Sequence, residues 1–272
     1  MELLPTAALR PPEIEVPSNR FLFHPLGNWL LPRALALGIP ANLVSLAGLT
    51  AGVLAAWCYL DWPDWRWALA GWALMLAWHV LDGLDGAVAR ASGTASAFGR
   101  FIDGFSDYGV FVMVNLALVA SLPDPLAALL LALAAGAAHA VQAAFYEARR
   151  ATYVRRRAGA LTVAPRPPSG GPLEGLYDWG ERMLGNREQP FDRRLAALPE
   201  ETSRAQLRAW LLRVAPRQRL LWPLSANART HLILLACLAG NPALYWWVTL
   251  AGLSLWALAF GWWWQRAESA FP

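Results

Sequence analysis

The chain has 272 residues, of which 57% are hydrophobic, only 15% are charged and sixteen are tryptophan. That balance excludes a disordered chain and an ordinary soluble domain and matches a membrane protein. The formal net charge of +4 hides a segregation: residues 149–229 hold sixteen arginines against seven acids, so the remainder of the chain is net acidic.

All 23 basic side chains are arginine, which a GC-rich genome explains as readily as a need for bidentate phosphate contacts. In chain order, residues 1–19 are rich in proline and glutamate and lack the apolar stretch of a cleavable leader, so the N-terminus is expected in the cytosol. The segment "RFLFHPLGNWLLPRALALGI", residues 20–39, mixes aromatic and leucine positions with Arg20 and Arg33. This suits a helix lying in the membrane interface, with an ordinary connector as the alternative. Apolar runs follow near 40–60, 65–91, 98–121, 125–147, 220–240 and 242–264, each close to the roughly 20 residues that cross a bilayer core.

The expected architecture is therefore an all-α membrane protein of six transmembrane helices, with an N-terminal interfacial helix. A long basic cytosolic link separates spans four and five. Its parts are 1–39, N-terminal; 40–147, spans one to four; 148–219, the link; and 220–272, spans five and six with the C-terminus. The arginine excess of the link places it and both termini in the cytosol. Pro223, Asn227, Arg229 and His231 interrupt the start of the fifth run, which is expected to begin kinked or interfacial. Within the link, residues 203–219 place Leu207, Leu211 and Val214 on one helical face beside Trp210. Arg204, Arg208, Arg213, Arg217 and Arg219 are then available for anionic headgroups. "APRPPSGGP" at 164–172 marks a break, and the link has too little apolar content to build a core of its own. Cys58 and Cys237 fall in apolar runs, which argues against a disulfide framework or a zinc site.

One stretch departs from this pattern. "LDGLDGAVARASGTASAFGRFIDGFSDYG", residues 81–109, carries four aspartates where the chain otherwise reads as membrane helix. A charged aspartate at bilayer depth costs about 3 kcal/mol even on lenient insertion scales, so such residues are retained for a function. At about 100° per residue Asp82, Asp85 and Ala89 share one helical face, with Gly86 beside them and Arg90 at its edge. Ser96, Gly99, Asp103 and Asp107 share one face of the next helix. Two acidic faces joined by a tight turn form a carboxylate box suited to hard divalent cations, which also bind substrate phosphates. Helix capping, or pairing with Arg90 and Arg100, is the alternative for any one aspartate.

The pattern D-x2-D-G-x2-A-R-x8-G-x3-D-x3-D, here Asp82, Asp85, Gly86, Ala89, Arg90, Gly99, Asp103 and Asp107, resembles the signature of the CDP-alcohol phosphatidyltransferase family. The resemblance implies an integral membrane enzyme, active with Mg²⁺ or Mn²⁺ and using two ions. Such an enzyme transfers a phosphatidyl or phospho-alcohol group from a CDP-linked donor to a hydroxyl acceptor and releases CMP. It implies that Asp82, Asp85, Asp103 and Asp107 hold the metals, and that Asp107 is also the catalytic base. Gly86, Arg90, Ser96 and Gly99 would meet the CDP donor, as would Asn42 and Ser45 of "NLVS", where the family more often has threonine in place of Ser45. Arg149, Arg150, Arg229 and His231 are candidates for the acceptor, although positive-inside topology explains the arginines equally well. "GPLEGL" at 171–176 is similar to a motif of choline and ethanolamine phosphotransferases, which keeps a CDP-amino alcohol donor with a diacylglycerol acceptor open. An intramembrane prenyltransferase or a divalent-cation transporter are readings of another class. The expected partners are the CDP-linked lipid donor, the acceptor and membrane lipids, with no nucleic acid; a homodimer is left open. The expected location is a bacterial inner membrane with the site facing the cytosol.

Overall fold

The structure, a computed structural model, describes residues 11, 13–94, 97–163 and 188–271, and for 97–107 it describes the backbone path alone. Ser96 and the "GPLEGL" segment fall outside the described residues. Every regular element among them is helical. The chain divides into two compact units, one of Val16–Ala135 and Asn227–Trp247, the other of Met1–Glu15, Gly136–Ala226 and Val248–Pro272.

The first unit opens with a π-helical turn, Asn19–Phe23, that runs into α1, His24–Ala36. Helix α1 stops at Gly38, whose φ of +63° lets Ile39 N–H reach back to the Ala34 carbonyl at 2.9 Å. Helices α2, Ala41–Leu60, and α3, Trp65–Ala91, are joined by a turn in which Asp64 accepts the Arg66 N–H at 2.9 Å and so caps α3. Helix α4, Ala97–Ala120, follows a second tight turn, where Gly93 (φ +69°) lets Thr94 N–H bond the Ala89 carbonyl at 2.9 Å. That turn brings the two halves of the aspartate pattern onto consecutive helices.

Small residues set how closely these helices pack. Helix α2 packs on both α3 and α4, and a Cβ added at Gly52 would collide with the Val110 side chain. Glycine is the one residue that fits there without displacing α4. Ala34, Val44, Leu84 and Val88 form a buried cluster that joins α1, α2 and α3, with Leu81 packed against it. Leu84 therefore seats the helical segment that carries Asp82 and Asp85.

In the same unit α8, Ala226–Leu238, is fastened to α3 by polar contacts. Trp72 Nε1 donates to His231 Nδ1 at 3.0 Å, and His79 Nε2 lies 2.9 Å from Thr230 Oγ1. The short helix α9, Ala243–Trp247, is held to α4 by Trp246 Nε1 donating to Asn115 Oδ1 at 2.7 Å.

The second unit takes the greater part of α5, Pro125–Arg157, together with α6, Pro190–Ala196, and α7, Glu200–Gln218. A 3₁₀ turn, Arg219–Leu224, follows α7, and a π-helical turn, Val248–Gly252, leads into α10, Leu253–Ser269. Its core is aromatic: Trp210 meets Trp264 edge-on at 5.2 Å and lies near Phe191 and Tyr153. Arg156 lies over Trp210 with its guanidinium carbon 4.5 Å from the ring centroid. The same guanidinium donates to Asp192 at 2.8 Å and to Glu268 at 2.6 Å, all three residues being buried. The apolar face of α7 expected to meet lipid is thus spent on protein, because Leu207, Trp210 and Val214 are buried. The described part of the link shares its core with α5 and α10.

Among the described residues, four helices are long and apolar enough to cross a membrane: Ala41–Leu60, Trp65–Ala91, Pro125–Arg157 and the continuous Ala243–Ser269. The third expected span is α4, whose side chains are described from Tyr108 onward. The fifth is shorter than the apolar run: Pro223 sits in the 3₁₀ turn and the backbone turns extended at Ser225. That leaves thirteen residues in α8, about 20 Å of helix against a hydrocarbon core of about 30 Å.

Candidate active site

Asp82 and Asp85 lie inside α3, away from either terminus, so neither caps a helix. They sit just under one turn apart, on one face. Asp85 is 6% exposed, and Ser45 Oγ of α2 donates to its Oδ2 at 2.5 Å. A buried carboxylate needs such a donor, and the neighbouring helix supplies it. Asp85 forms no ion pair with Arg90 among the described residues. Arg90 is exposed and folds back over its own helix: a Cβ added at Gly86 would stand 3.1 Å from Arg90 Nη1. Gly86 thereby leaves room for a guanidinium beside the carboxylate face.

Asn42 is exposed in the first turn of α2, one turn before Ser45. Gly99, Asp103 and Asp107 lie on the first half of α4, which starts after the tight turn, but their side chains fall outside the description. Among the described residues no three His, Cys, Asp or Glu side chains gather to hold a metal; two of the four aspartates of the pattern lie beyond that statement.

The acceptor candidates are divided between the two units. Arg149 and Arg150 lie on α5 in the second unit, where Arg150 pairs with Glu147 and Arg149 lies 5.0 Å over the Phe145 ring. Arg229 and His231 lie on α8 in the first unit. Arg229 is fully buried and bonded to the Tyr245 side chain, and His231 accepts the Trp72 bond.

Two site contacts were not foreseen from the sequence. The Ser45–Asp85 bond joins residues forty positions apart, and residue type alone does not name such a partner. His79, one turn before Asp82, packs against Trp78 and Phe23 and bonds Thr230; it holds α8 against the site-bearing helix.

An all-helical chain with apolar, membrane-length helices and a buried carboxylate seated between two of them defines a class: integral membrane proteins with an acidic site at the end of a span. Comparison with known proteins gives the family. Residues 39–165 match the model of the CDP-alcohol phosphatidyltransferase family, and this segment holds the entire aspartate pattern. A curated relative is the CDP-diacylglycerol–serine O-phosphatidyltransferase of Encephalitozoon cuniculi (strain GB-M1), 31% identical over 106 residues. The matched region covers 37% of this chain and 27% of that relative, so the chain spans about a quarter of the relative's length. No solved structure matches the chain.

Proposed function

We propose that this chain is an integral membrane enzyme that transfers a phosphatidyl group from a CDP-alcohol, CDP-diacylglycerol first among them, to a hydroxyl acceptor with release of CMP. The observation that carries the reading is the buried Asp85, bonded by Ser45 across two helices inside the family segment 39–165. The name of the relative favours CDP-diacylglycerol as donor and makes serine the first acceptor to test. The arginine-rich link supports a site on the cytosolic side, and the membrane proposed for it is a bacterial inner membrane.

The donor set fits a hard divalent cation: carboxylate oxygens, one of them buried, with a space at Gly86 that a larger residue would fill. Asp82, Asp85, Asp103 and Asp107 would hold Mg²⁺ or Mn²⁺, two ions, which when bound would neutralise the diphosphate and its CMP leaving group. Ser45 fixes the rotamer of Asp85 and so presents its other oxygen in one direction. Arg90, free to swing at the end of α3, grips the diphosphate, and Asn42 and Ser45 border the donor on α2, as do Ser96 and Gly99 at the start of α4. Asp107 takes the proton of the attacking hydroxyl.

The test compares two variants by metal-dependent CDP-donor affinity and by CMP release with serine, glycerol phosphate and inositol phosphate as acceptors. Asp107→Asn should retain most donor affinity while turnover falls about 10²–10⁴-fold, the scale of general-base catalysis. Asp82→Asn should lose donor binding and turnover together, because a metal ligand has lost its charge. Near-normal turnover in Asp107→Asn, or equal loss of donor binding in both, would remove the base from Asp107.

A further inference from the structure

A groove of about 450 Å³ lies in the second unit between the end of α5 and one side of α7. It differs from the buried face of α7. At about 100° per residue Arg204, Arg208, Leu211, Leu212, Ala215 and Arg219 fall in one stripe beside the buried residues. Leu212 is 71% exposed in that stripe, an apolar side chain among arginines with no protein packed over it.

The lining is amphiphilic. Arg157 and Arg208 supply two guanidiniums, and Leu211, Leu212, Ala215 and Pro216 supply an apolar wall. Glu13 also lines the groove, but its carboxylate is engaged: Arg157 Nε donates to it at 2.6 Å and the Tyr153 hydroxyl at 3.3 Å. Arg219 Nε donates to the Glu13 carbonyl at 2.9 Å, which holds that segment in place. Arg208 has no partner among the described residues, and neither do the terminal nitrogens of Arg157. The lining therefore carries one uncompensated positive charge. It also stands at the basic end of α5, one of the helices long enough to cross the membrane.

We propose that this groove holds an anionic phospholipid of the surrounding bilayer. Its phosphate rests on Arg208 and Arg157, and the upper part of an acyl chain runs along Leu211, Leu212 and Ala215. A phosphate alone would use the arginines and leave the apolar wall in water; a neutral lipid would use the wall and leave Arg208 unmatched. An anionic lipid satisfies both. The site rests on neither the proposed reaction nor its acceptor.

The experiment is native mass spectrometry of the full chain, counting phosphatidylglycerol and phosphatidylcholine retained from mixed neutral-detergent micelles. The wild type should retain phosphatidylglycerol in preference. Arg208→Gln should lower its retention about tenfold, the effect of one charge-assisted hydrogen bond, and Arg208→Lys should restore part of it. Leu212→Gln should weaken retention as well, and glycerol phosphate in solution should not displace the lipid. Arg66→Gln, an equal loss of charge at the exposed start of α3, should change nothing. Unchanged retention in Arg208→Gln, an equal loss in Arg66→Gln, equal retention of phosphatidylcholine, or displacement by glycerol phosphate would each overturn the proposal.

Discussion

Ser45 occupies the place where a threonine was expected, and its hydroxyl is the observed partner of Asp85. Ser45→Ala leaves a buried carboxylate without that donor. A hydrogen bond to a charged group contributes about 1.5–3 kcal/mol, so donor turnover should fall about 10–100-fold. Ser45→Thr keeps the hydroxyl and should keep most of the activity; CMP release by the two variants checks this, and equal losses would mean that bulk, not the bond, matters. Asp192 gives a second test, in stability. Burial opposes its ionisation, but hydrogen bonds from Arg156 and Arg155 outweigh that and hold its carboxyl below the ordinary value of 3.8. A carboxyl lower in the folded than in the unfolded chain stabilises the fold fully above the unfolded value, and that contribution disappears as pH falls below about 4. Asp192→Asn should therefore melt lower than wild type near neutral pH, by about 3 kcal/mol of stability for a broken buried pair, and the two melting curves should converge in acid. Curves that stay parallel would remove the ionised Asp192 from the account.

Helix α7 shows what a sequence pattern conveys and where it stops. Its apolar stripe of Leu207, Leu211 and Val214, with Trp210 beside it, was legible from spacing, as were the helices around the apolar runs, the tight turn after α3 and the carboxylate pattern. What the stripe faces was not legible, because a lipid tail and a protein core select the same side chains. Trp210→Ala separates the two: with Trp210 fully buried against Trp264 and Phe191, the substitution should cost about 3–5 kcal/mol. Arg213→Gln, on an exposed position, should change little. Thermal melting followed by tryptophan fluorescence measures both, and a small loss in Trp210→Ala would return the stripe to the lipid. The fifth run, expected to begin kinked or interfacial, does break near its start: hydropathy averages across Pro223, whereas the backbone changes direction within two residues of it. The Arg156–Asp192–Glu268 cluster was invisible because its members lie up to 112 positions apart; the arginine excess read as a topology signal includes one side chain that is 0% exposed.

Across the whole molecule, the charge segregation predicts orientation. A cysteine replacing exposed Ala205 on α7 should react with an impermeant maleimide from the cytosolic side alone; Cys58 and Cys237 are buried and add little background. Reaction from the opposite side would invert the topology. Helix α5 extends this to the bilayer itself. Its 33 residues measure about 50 Å, against a hydrocarbon core of about 30 Å. A helix can tilt in response to its surroundings but cannot shorten. The distance from Pro125 to the arginines at 155–157 is therefore a fixed length standard in a medium whose thickness varies with its lipids. In a thin membrane the end of α5 that carries Arg157 stands clear of the surface; in a thick one it approaches the headgroups unless the helix straightens. Membrane thickness thus becomes a variable this protein can register.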